Sequence, residues 1–226
     1  MMGDFLFLSL ICCIPSCLIF VLRKDLQGVM FVTGICAIPF AFTESLFYPS
    51  YWEPKFLWDL ADKIGFGIED LIFVCGLGAL TSSAYAFAFK KKICPAGALD
   101  RKLLQLRLVH VALITILLVS LAYVLKIPMI YGAVIIMLFI SAGIVIMRKD
   151  LLIPSLAGGV VTCITYAFIC FVFSMVFKDV FHIVWHGEKF SGVFVAGILL
   201  EEYLYGFAAG ITGTVFYPFL SNSKYA

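Results

Sequence analysis

The sequence predicts an all-α integral membrane protein with about seven transmembrane helices, and three observations support that fold class. Of the 226 residues, 63% are hydrophobic and 13% are charged, whereas an average soluble chain is about 25% charged. The mean hydropathy is +1.10. The apolar residues form long runs, as bilayer-spanning helices require. A single membrane domain is expected, because no hydrophilic stretch is long enough for a separate soluble domain.

Each apolar run provides the roughly 20 residues that a helix needs to cross a bilayer. The first run is expected to be an uncleaved span, because no positive leader precedes it and Arg23 and Lys24 follow it. The predicted helices lie near residues 4–22, 27–47, 65–89, 106–125, 129–147, 152–177 and 192–219.

Positive charge predicts how the chain is oriented, since loops on the cytoplasmic side are enriched in Lys and Arg. Eleven of the 16 basic residues fall on one predicted side, namely Arg23, Lys24, Lys90, Lys91, Lys92, Arg101, Lys102, Arg107, Arg148, Lys149 and Lys224. The other side carries Lys55, Lys63, Lys126, Lys178 and Lys189. We therefore expect a multi-pass protein of the cell (inner) membrane, with its N-terminus outside and its C-terminus in the cytoplasm.

Short motifs recur along the chain and indicate an internal repeat. The tetrad Arg-Lys-Asp-Leu at residues 23–26 returns at residues 148–151, in each case between two apolar helices. Later motifs recur in the same order, with Trp52 echoed by Trp185 and Glu69-Asp70 echoed by Glu201-Glu202. We interpret this pattern as a 3 + 1 + 3 parallel repeat about an axis along the membrane normal. Copy one covers residues 1–89, a linker helix lies within 90–126, and copy two covers 127–226.

The two acidic pairs are the candidate catalytic residues: Glu69, Asp70, Glu201 and Glu202. Acidic residues in the first turn of a helix also stabilise its positive end, so a purely structural role is the alternative. Acidic side chains in apolar helices are costly and mark functional sites by default. Because both pairs occupy equivalent places in the two copies, the sequence favours a functional role. One acid of each pair is expected to face a shared interior.

Aromatic and polar residues on the same side of the membrane are the candidate substrate-binding residues: Glu44, Tyr51, Trp52, Trp185, His186 and Tyr203. The aromatic rings either form an interfacial belt or stabilise a carbocation through their π faces. His182 and His186 either carry protons or line a loop. No cysteine pair has zinc-ligand spacing with nearby histidines, so no metal site is expected.

These motifs resemble the lycopene cyclase domain family in its fused form, in which two three-helix copies lie in one chain. The family signature is Pro-x-Glu-Glu or Pro-x-Glu-Asp at the start of the third helix, after an aromatic–Trp segment. The present chain reads Gly-Ile-Glu-Asp at residues 67–70 and Leu-Leu-Glu-Glu at residues 199–202. Gly67 and Leu199 thus stand where the family has proline. Glu44 matches an acidic position near the end of the second helix.

The resemblance implies an enzyme of the isomerase or intramolecular lyase type that acts in carotenoid biosynthesis. Such an enzyme converts a linear lycopene-type polyene to a ring-bearing one without net redox change. No Gly-x-Gly-x-x-Gly motif follows a strand, so no flavin or nicotinamide is expected. The expected partners are the polyene and the lipid bilayer. No nucleic acid is expected, and a homo-oligomer is left open.

Two other functions compete with the cyclase. A retinal protein would need a lysine in the seventh helix, and residues 192–219 contain none. A non-catalytic polyene-binding protein or a proton-coupled transporter could use the same carboxyl groups as a proton relay, and this alternative is kept.

Overall fold

The computed structural model describes residues 3–97 and 101–226. The predicted copy one and linker regions also include residues 1–2 and 98–100, which lie outside the described residues. The long helices are α1 (Asp4–Leu22), α2 (Gln27–Ala37), α3 (Ile68–Ala88), α4 (Arg101–Val124), α5 (Met129–Met147), α6 (Leu152–Val176) and α7 (Leu200–Leu220).

The rest of the described chain is made of short elements. Turns of 3₁₀ helix span Lys24–Leu26, Ile38–Leu46, Leu57–Asp59, Lys149–Leu151 and Gly187–Lys189, and short α-helices span Leu60–Ile64 and Val180–Ile183. The strands are β1 (Ile93–Pro95), β2 (Phe194–Val195), β3 (Ile198–Leu199) and β4 (Ser223–Tyr225). β1 pairs with β4, and β2 pairs with β3, both antiparallel.

Six segments of the described chain are long and apolar enough to cross a membrane: Asp4–Leu22, Lys24–Leu46, Ile68–Ala88, Arg101–Val124, Met129–Met147 and Lys149–Val176. The described chain is mainly helical, and these six segments indicate a multi-pass membrane protein. Helix α7 has 21 residues but does not belong to this set, so the seventh span stays a prediction. The orientation of the termini also stays a prediction.

Several predicted helices have different boundaries in the structure, and the one predicted at 106–125 begins earlier, at Arg101. The helix predicted at 27–47 changes from α to 3₁₀ geometry after Ala37. Pro39 explains this change, because proline has no backbone N–H and its ring clashes with the preceding turn of an α-helix. The helix predicted at 65–89 begins only at Ile68, since Gly65 has a positive φ of 86° and Gly67 is extended.

The prediction of a helix at 192–219 is wrong for residues 192–199, which contain the β2–β3 hairpin. The turn residues Ala196 and Gly197 have φ values of 50° and 78°. Two consecutive positive φ angles are typical of the type I′ turn that closes a two-residue hairpin. Helix α7 therefore begins at Leu200, directly after β3.

The third helix of each predicted copy packs against the first two helices of that copy. Helix α3 contacts α1 and α2, helix α7 contacts α5 and α6, and α3 and α7 also contact each other. Close approaches match between the halves. A Cβ at Gly78 would lie 2.8 Å from Ala37 Cβ, and one at Gly210 would lie 2.6 Å from Thr162 Cβ. The 3 + 1 + 3 repeat itself stays a prediction. The N-termini of α3 and α7 lie at one end of the bundle, near the paired residues Trp52 and Trp185.

The repeated tetrads form the same hydrogen bonds at the opposite end of the bundle. Arg23 donates to Asp25 with distances of 2.8 and 2.7 Å, and Arg148 donates to Asp150 with the same two distances. Arg148 also donates to the carbonyl oxygen of Ser223 at 2.7 Å. The tetrads thus anchor the connections between the first two helices of each half.

Candidate functional site

The four candidate catalytic carboxyl groups lie in the first turns of α3 and α7, and all four are buried. The exposed fractions are 0% for Glu69, 3% for Asp70, 1% for Glu201 and 5% for Glu202. The positive end of a helix favours a carboxyl group in its first turn. That effect does not replace the lost hydration, so each buried oxygen needs hydrogen-bond donors.

Three side chains from three different segments donate hydrogen bonds to Glu202. The Tyr51 hydroxyl donates to Oε1 at 2.6 Å, and the Trp185 indole N–H donates to the same oxygen at 2.9 Å. The Tyr166 hydroxyl donates to Oε2 at 2.8 Å. Tyr51 belongs to predicted copy one and Tyr166 to α6, so Glu202 accepts hydrogen bonds from both halves of the chain.

Glu201 is held by α5 and by the loop before β2. The Tyr131 hydroxyl donates to Oε1 at 2.5 Å, and the backbone N–H of Ser191 donates to the same oxygen at 2.9 Å. The Ser191 hydroxyl donates to Oε2 at 3.0 Å. Both carboxyl oxygens of Glu201 therefore have donors.

The pair on α3 has fewer donors than the pair on α7. The backbone N–H of Leu57 donates to Glu69 Oε1 at 2.7 Å, and that of Gly67 donates to Asp70 Oδ2 at 2.7 Å. Asp70 thus caps the start of its own helix. Glu69 Oε2 is buried and has no hydrogen-bond partner among the residues that the structure describes. Such a group calls for an explanation, because unpaired buried polar atoms are rare.

The two predicted Trp segments lie side by side. Trp52 and Trp185 form an isolated antiparallel β-bridge, and their ring centroids are 4.9 Å apart. The Trp52 indole N–H donates to Glu44 Oε1 at 2.7 Å, while Trp185 donates to Glu202. Each indole ring is therefore fixed by a buried carboxyl group.

Further aromatic rings cover the carboxyl groups. Phe5 contacts the Trp52 ring edge-on at 4.5 Å, and Phe190 contacts the Tyr51 ring at 5.1 Å and the Tyr131 ring at 6.1 Å. The carboxyl groups thus lie in largely apolar surroundings, where electrostatic interactions are stronger than in water.

The loop tyrosines keep their protons under ordinary conditions. Burial, followed by the negative charge of Glu202, raises the pKa of Tyr51 well above its usual value. Burial and a hydrogen bond to Asp62 raise the pKa of Tyr48 to about 12. Tyr51 therefore remains a phenol that donates its hydrogen bond to Glu202.

Two of the predicted substrate-binding residues, His186 and Tyr203, lie at the edge of the group of buried carboxyl groups and aromatic rings. His186 lies 3.8 Å from Glu53 and 3.9 Å from Glu188. Tyr203 donates to the carbonyl oxygen of Val195 at 2.9 Å and so braces the hairpin. His182, the other candidate for proton transfer, stacks on Phe194 with ring centroids 4.0 Å apart.

Sequence reasoning did not identify Tyr131, Tyr166, Ser191 or Phe190. Both tyrosines lie inside apolar helices that predict only membrane spans, and Ser191 lies in a loop without a motif. The available signal was the phenol group itself, since a tyrosine within a membrane helix usually needs a hydrogen-bond partner.

Two pockets lie away from the carboxyl groups. A surface pocket of about 250 Å³ is lined by Ser174, Lys178, Asp179, Val180, Phe181, His182 and Gly197. A smaller apolar one of about 120 Å³ lies between α4 and α5. The aromatic rings around the carboxyl groups contact one another directly.

The comparison with protein families decides the classification. Residues 128–220 match the family model described as lycopene cyclase. This part of the chain is similar to lycopene cyclases. The match covers α5, α6 and α7, and so includes Trp185, Glu201, Glu202 and their partners Tyr131 and Tyr166. The comparisons with curated proteins and with solved structures gave no match.

The matched range lies within predicted copy two. Within the matched range, Glu202 receives one hydrogen bond from outside residues 128–220, that of Tyr51. The Trp52–Trp185 bridge also crosses the boundary. The segment before residue 128 therefore completes the surroundings of the carboxyl groups in the matched range.

Proposed function

We propose that the protein is a membrane-embedded carotenoid cyclase that closes the end rings of a lycopene-type polyene without net redox change. This proposal is based on the surroundings of Glu202. In the range that is similar to lycopene cyclases, this buried carboxyl group is held by two phenols and an indole and lies beside a second carboxyl group, Glu201. A polyene is confined to the bilayer, which suits a site built between membrane helices.

The proposed reaction needs an acid and a base within an apolar site. A carboxylic acid first gives a proton to the terminal alkene, forming a C–H bond and a carbocation. The neighbouring double bond attacks the cation and closes a six-membered ring. A carboxylate then removes a proton from the ring, so one C–H bond forms and one breaks. Substrate and product therefore have the same composition.

We assign the acid and base roles to Glu69 and Glu201, assisted by Asp70 and Glu202. Three donors to Glu201 suit a group that stays a carboxylate and accepts a proton. One oxygen of Glu69 has no hydrogen-bond partner within residues 3–97 and 101–226, and we propose that this oxygen faces the hydrocarbon. The equivalence of Glu69 and Glu201 in the inferred repeat supports this division of roles.

The indole rings of Trp52 and Trp185 are proposed to stabilise the carbocation through their π faces. Their N–H groups already point to Glu44 and Glu202, so the rings are fixed before the substrate arrives. The covering aromatic side chains exclude water, which would otherwise trap the cation.

Expression in cells that accumulate lycopene tests the proposed activity. Cyclised pigments should replace lycopene, and chromatography with absorption spectra would identify them. A strain that expresses the exposed-loop variant Glu188→Gln serves as a control and should give the same pigments, because that side chain is 71% exposed. Unchanged lycopene, with the protein verified in the membrane, would instead favour a non-catalytic polyene-binding protein or a proton-coupled transporter.

A further inference from the structure

The larger surface pocket lies at the end of a membrane helix. It holds about 250 Å³ and is bordered by the end of α6, the short helix Val180–Ile183 and Gly197 of the β2–β3 turn. The candidate span Lys149–Val176 ends just before the pocket residues Lys178 and Asp179. The pocket is therefore expected at the depth where the hydrocarbon core ends and the lipid headgroups begin.

Two opposite charges line this pocket. Lys178 and Asp179 are both exposed, and neither takes part in the ion pairs found among residues 3–97 and 101–226. Asp179 precedes the short helix, but its side chain makes no capping hydrogen bond. Ser174 and His182 add a hydroxyl group and an imidazole ring. The pocket thus offers a cation for a phosphate group and an anion for an ammonium group.

Exposed apolar side chains run along α6 towards the pocket. Ile164, Phe168, Phe171 and Met175 are all exposed, and their spacing of four, three and four residues places them on one face of the helix. From Ile164 to Met175 the helix rises about 16 Å, close to half of the roughly 30 Å hydrocarbon core. The acyl chains of one leaflet occupy that depth. A lipid whose chains lie on this face has its headgroup beside Lys178.

We propose that this pocket binds the headgroup of a phospholipid with a primary ammonium group, such as phosphatidylethanolamine. Lys178 contacts the phosphate, and Asp179 accepts hydrogen bonds from the ammonium group. A headgroup with only negative charge would be repelled by Asp179, and a trimethylated ammonium group has no N–H to donate. The inference does not depend on the proposed cyclase function, because the pocket lies away from the buried carboxyl groups.

A lipid bound in this pocket connects the hairpin to α6. Gly197 lies in the hairpin turn and lines the pocket, and the hairpin leads directly into α7. Tyr203 on α7 donates to the carbonyl oxygen of Val195 in the same hairpin. Because the pocket exists only in the folded protein, lipid binding should stabilise the fold.

Thermal unfolding of the purified full-length protein tests this site. After co-purified lipid has been removed with detergent, dioleoyl phosphatidylethanolamine should raise the unfolding midpoint with increasing concentration, and dioleoyl phosphatidylcholine should raise it less. Equal stabilisation by the two lipids, or none by the first, would overturn the proposal. O-phosphoethanolamine, which has the headgroup without acyl chains, should have little effect at the same concentration. If it stabilises the protein as much as the lipid does, the pocket binds a soluble ligand and the lipid assignment is wrong.

Substitutions of the two charged residues provide the second arm of the test. Lys178→Gln and Asp179→Asn should each weaken the apparent affinity for phosphatidylethanolamine by roughly 3- to 10-fold. Asparagine tolerates the left-handed backbone of residue 179, whose φ is 60°, so the fold should be retained. Asp179→Asn should also reduce the difference between the two lipids. Lys189→Gln is the matched control, because Lys189 is exposed and does not line the pocket. Wild-type affinity in both pocket variants would contradict the assignment.

Discussion

Replacing Glu201 with glutamine should slow ring closure by roughly 100- to 10,000-fold, the range that positioned acid–base groups contribute. Glutamine has nearly the same shape as glutamate and can keep the local contacts. Its oxygen can accept from Tyr131 and from the Ser191 N–H, and its amide can donate to the Ser191 hydroxyl, which now accepts. The amide cannot take up a proton at neutral pH, so the expected loss is one of chemistry rather than of folding.

Glu69→Gln should cause a loss of similar size. The amide oxygen can still accept a hydrogen bond from the Leu57 N–H, while the NH₂ group takes the place of Oε2 and has no acidic proton to give. The rates would be measured by pigment analysis on equal amounts of membrane-inserted protein, with Glu188→Gln as the matched control. Full activity in both Glu69→Gln and Glu201→Gln would remove these residues from the mechanism.

Restoring the family's motif proline in the first half, Gly67→Pro, should destabilise the protein by roughly 3–6 kcal/mol. The substitution removes the backbone N–H of residue 67, which donates a hydrogen bond to Asp70 Oδ2. That buried carboxyl oxygen is then left without its donor. A Cβ at this position would also lie 2.4 Å from Phe56 Cδ1 and 2.5 Å from Glu69 Oε2. The midpoint of thermal unfolding, followed by circular dichroism in detergent, would measure the effect.

Leu199→Pro is the matched control, because the backbone at residue 199 can accommodate a proline more easily than the backbone at residue 67. Leu199 has a φ of −63°, which proline adopts, and the adjacent interstrand hydrogen bond comes from Leu200, whose N–H donates to Val193. The expected cost is the lost packing of a buried leucine, about 1–3 kcal/mol. Gly67→Ala, which keeps the N–H, separates steric crowding from the lost hydrogen bond. A Gly67→Pro protein that unfolds at or above the temperature of Leu199→Pro would contradict this account.

Hydropathy was sufficient to locate six candidate spans but not every helix boundary. Helices α1 and α5 begin and end at the predicted residues, because charged or turn-forming residues flank each apolar run. The segment 192–199 is short and apolar, and a short apolar run does not distinguish a strand from a helix. The positive φ angles of Ala196 and Gly197 made it a hairpin.

The candidate site could be predicted only in part. The acidic pairs could be recognised because carboxyl groups interrupt apolar helices, and their burial agrees with that expectation. Their partners could not be recognised, because Tyr51 lies 151 residues from Glu202 and Tyr131 lies 70 residues from Glu201 along the chain. The difference between the two halves was also hidden, since matching motifs suggested matching surroundings.

Deuterium incorporation tests the central claim, that buried carboxyl groups start the reaction by protonating a hydrocarbon. The purified protein would be equilibrated in D₂O and given lycopene without added flavin, nicotinamide or oxidant, and the products analysed by mass spectrometry. Exchangeable carboxyl groups should deliver one deuterium for each ring closed, and Glu69→Gln and Glu201→Gln should form little labelled product. Cyclised product without deuterium, formed at the wild-type rate, would show that the ring does not arise from protonation by these groups.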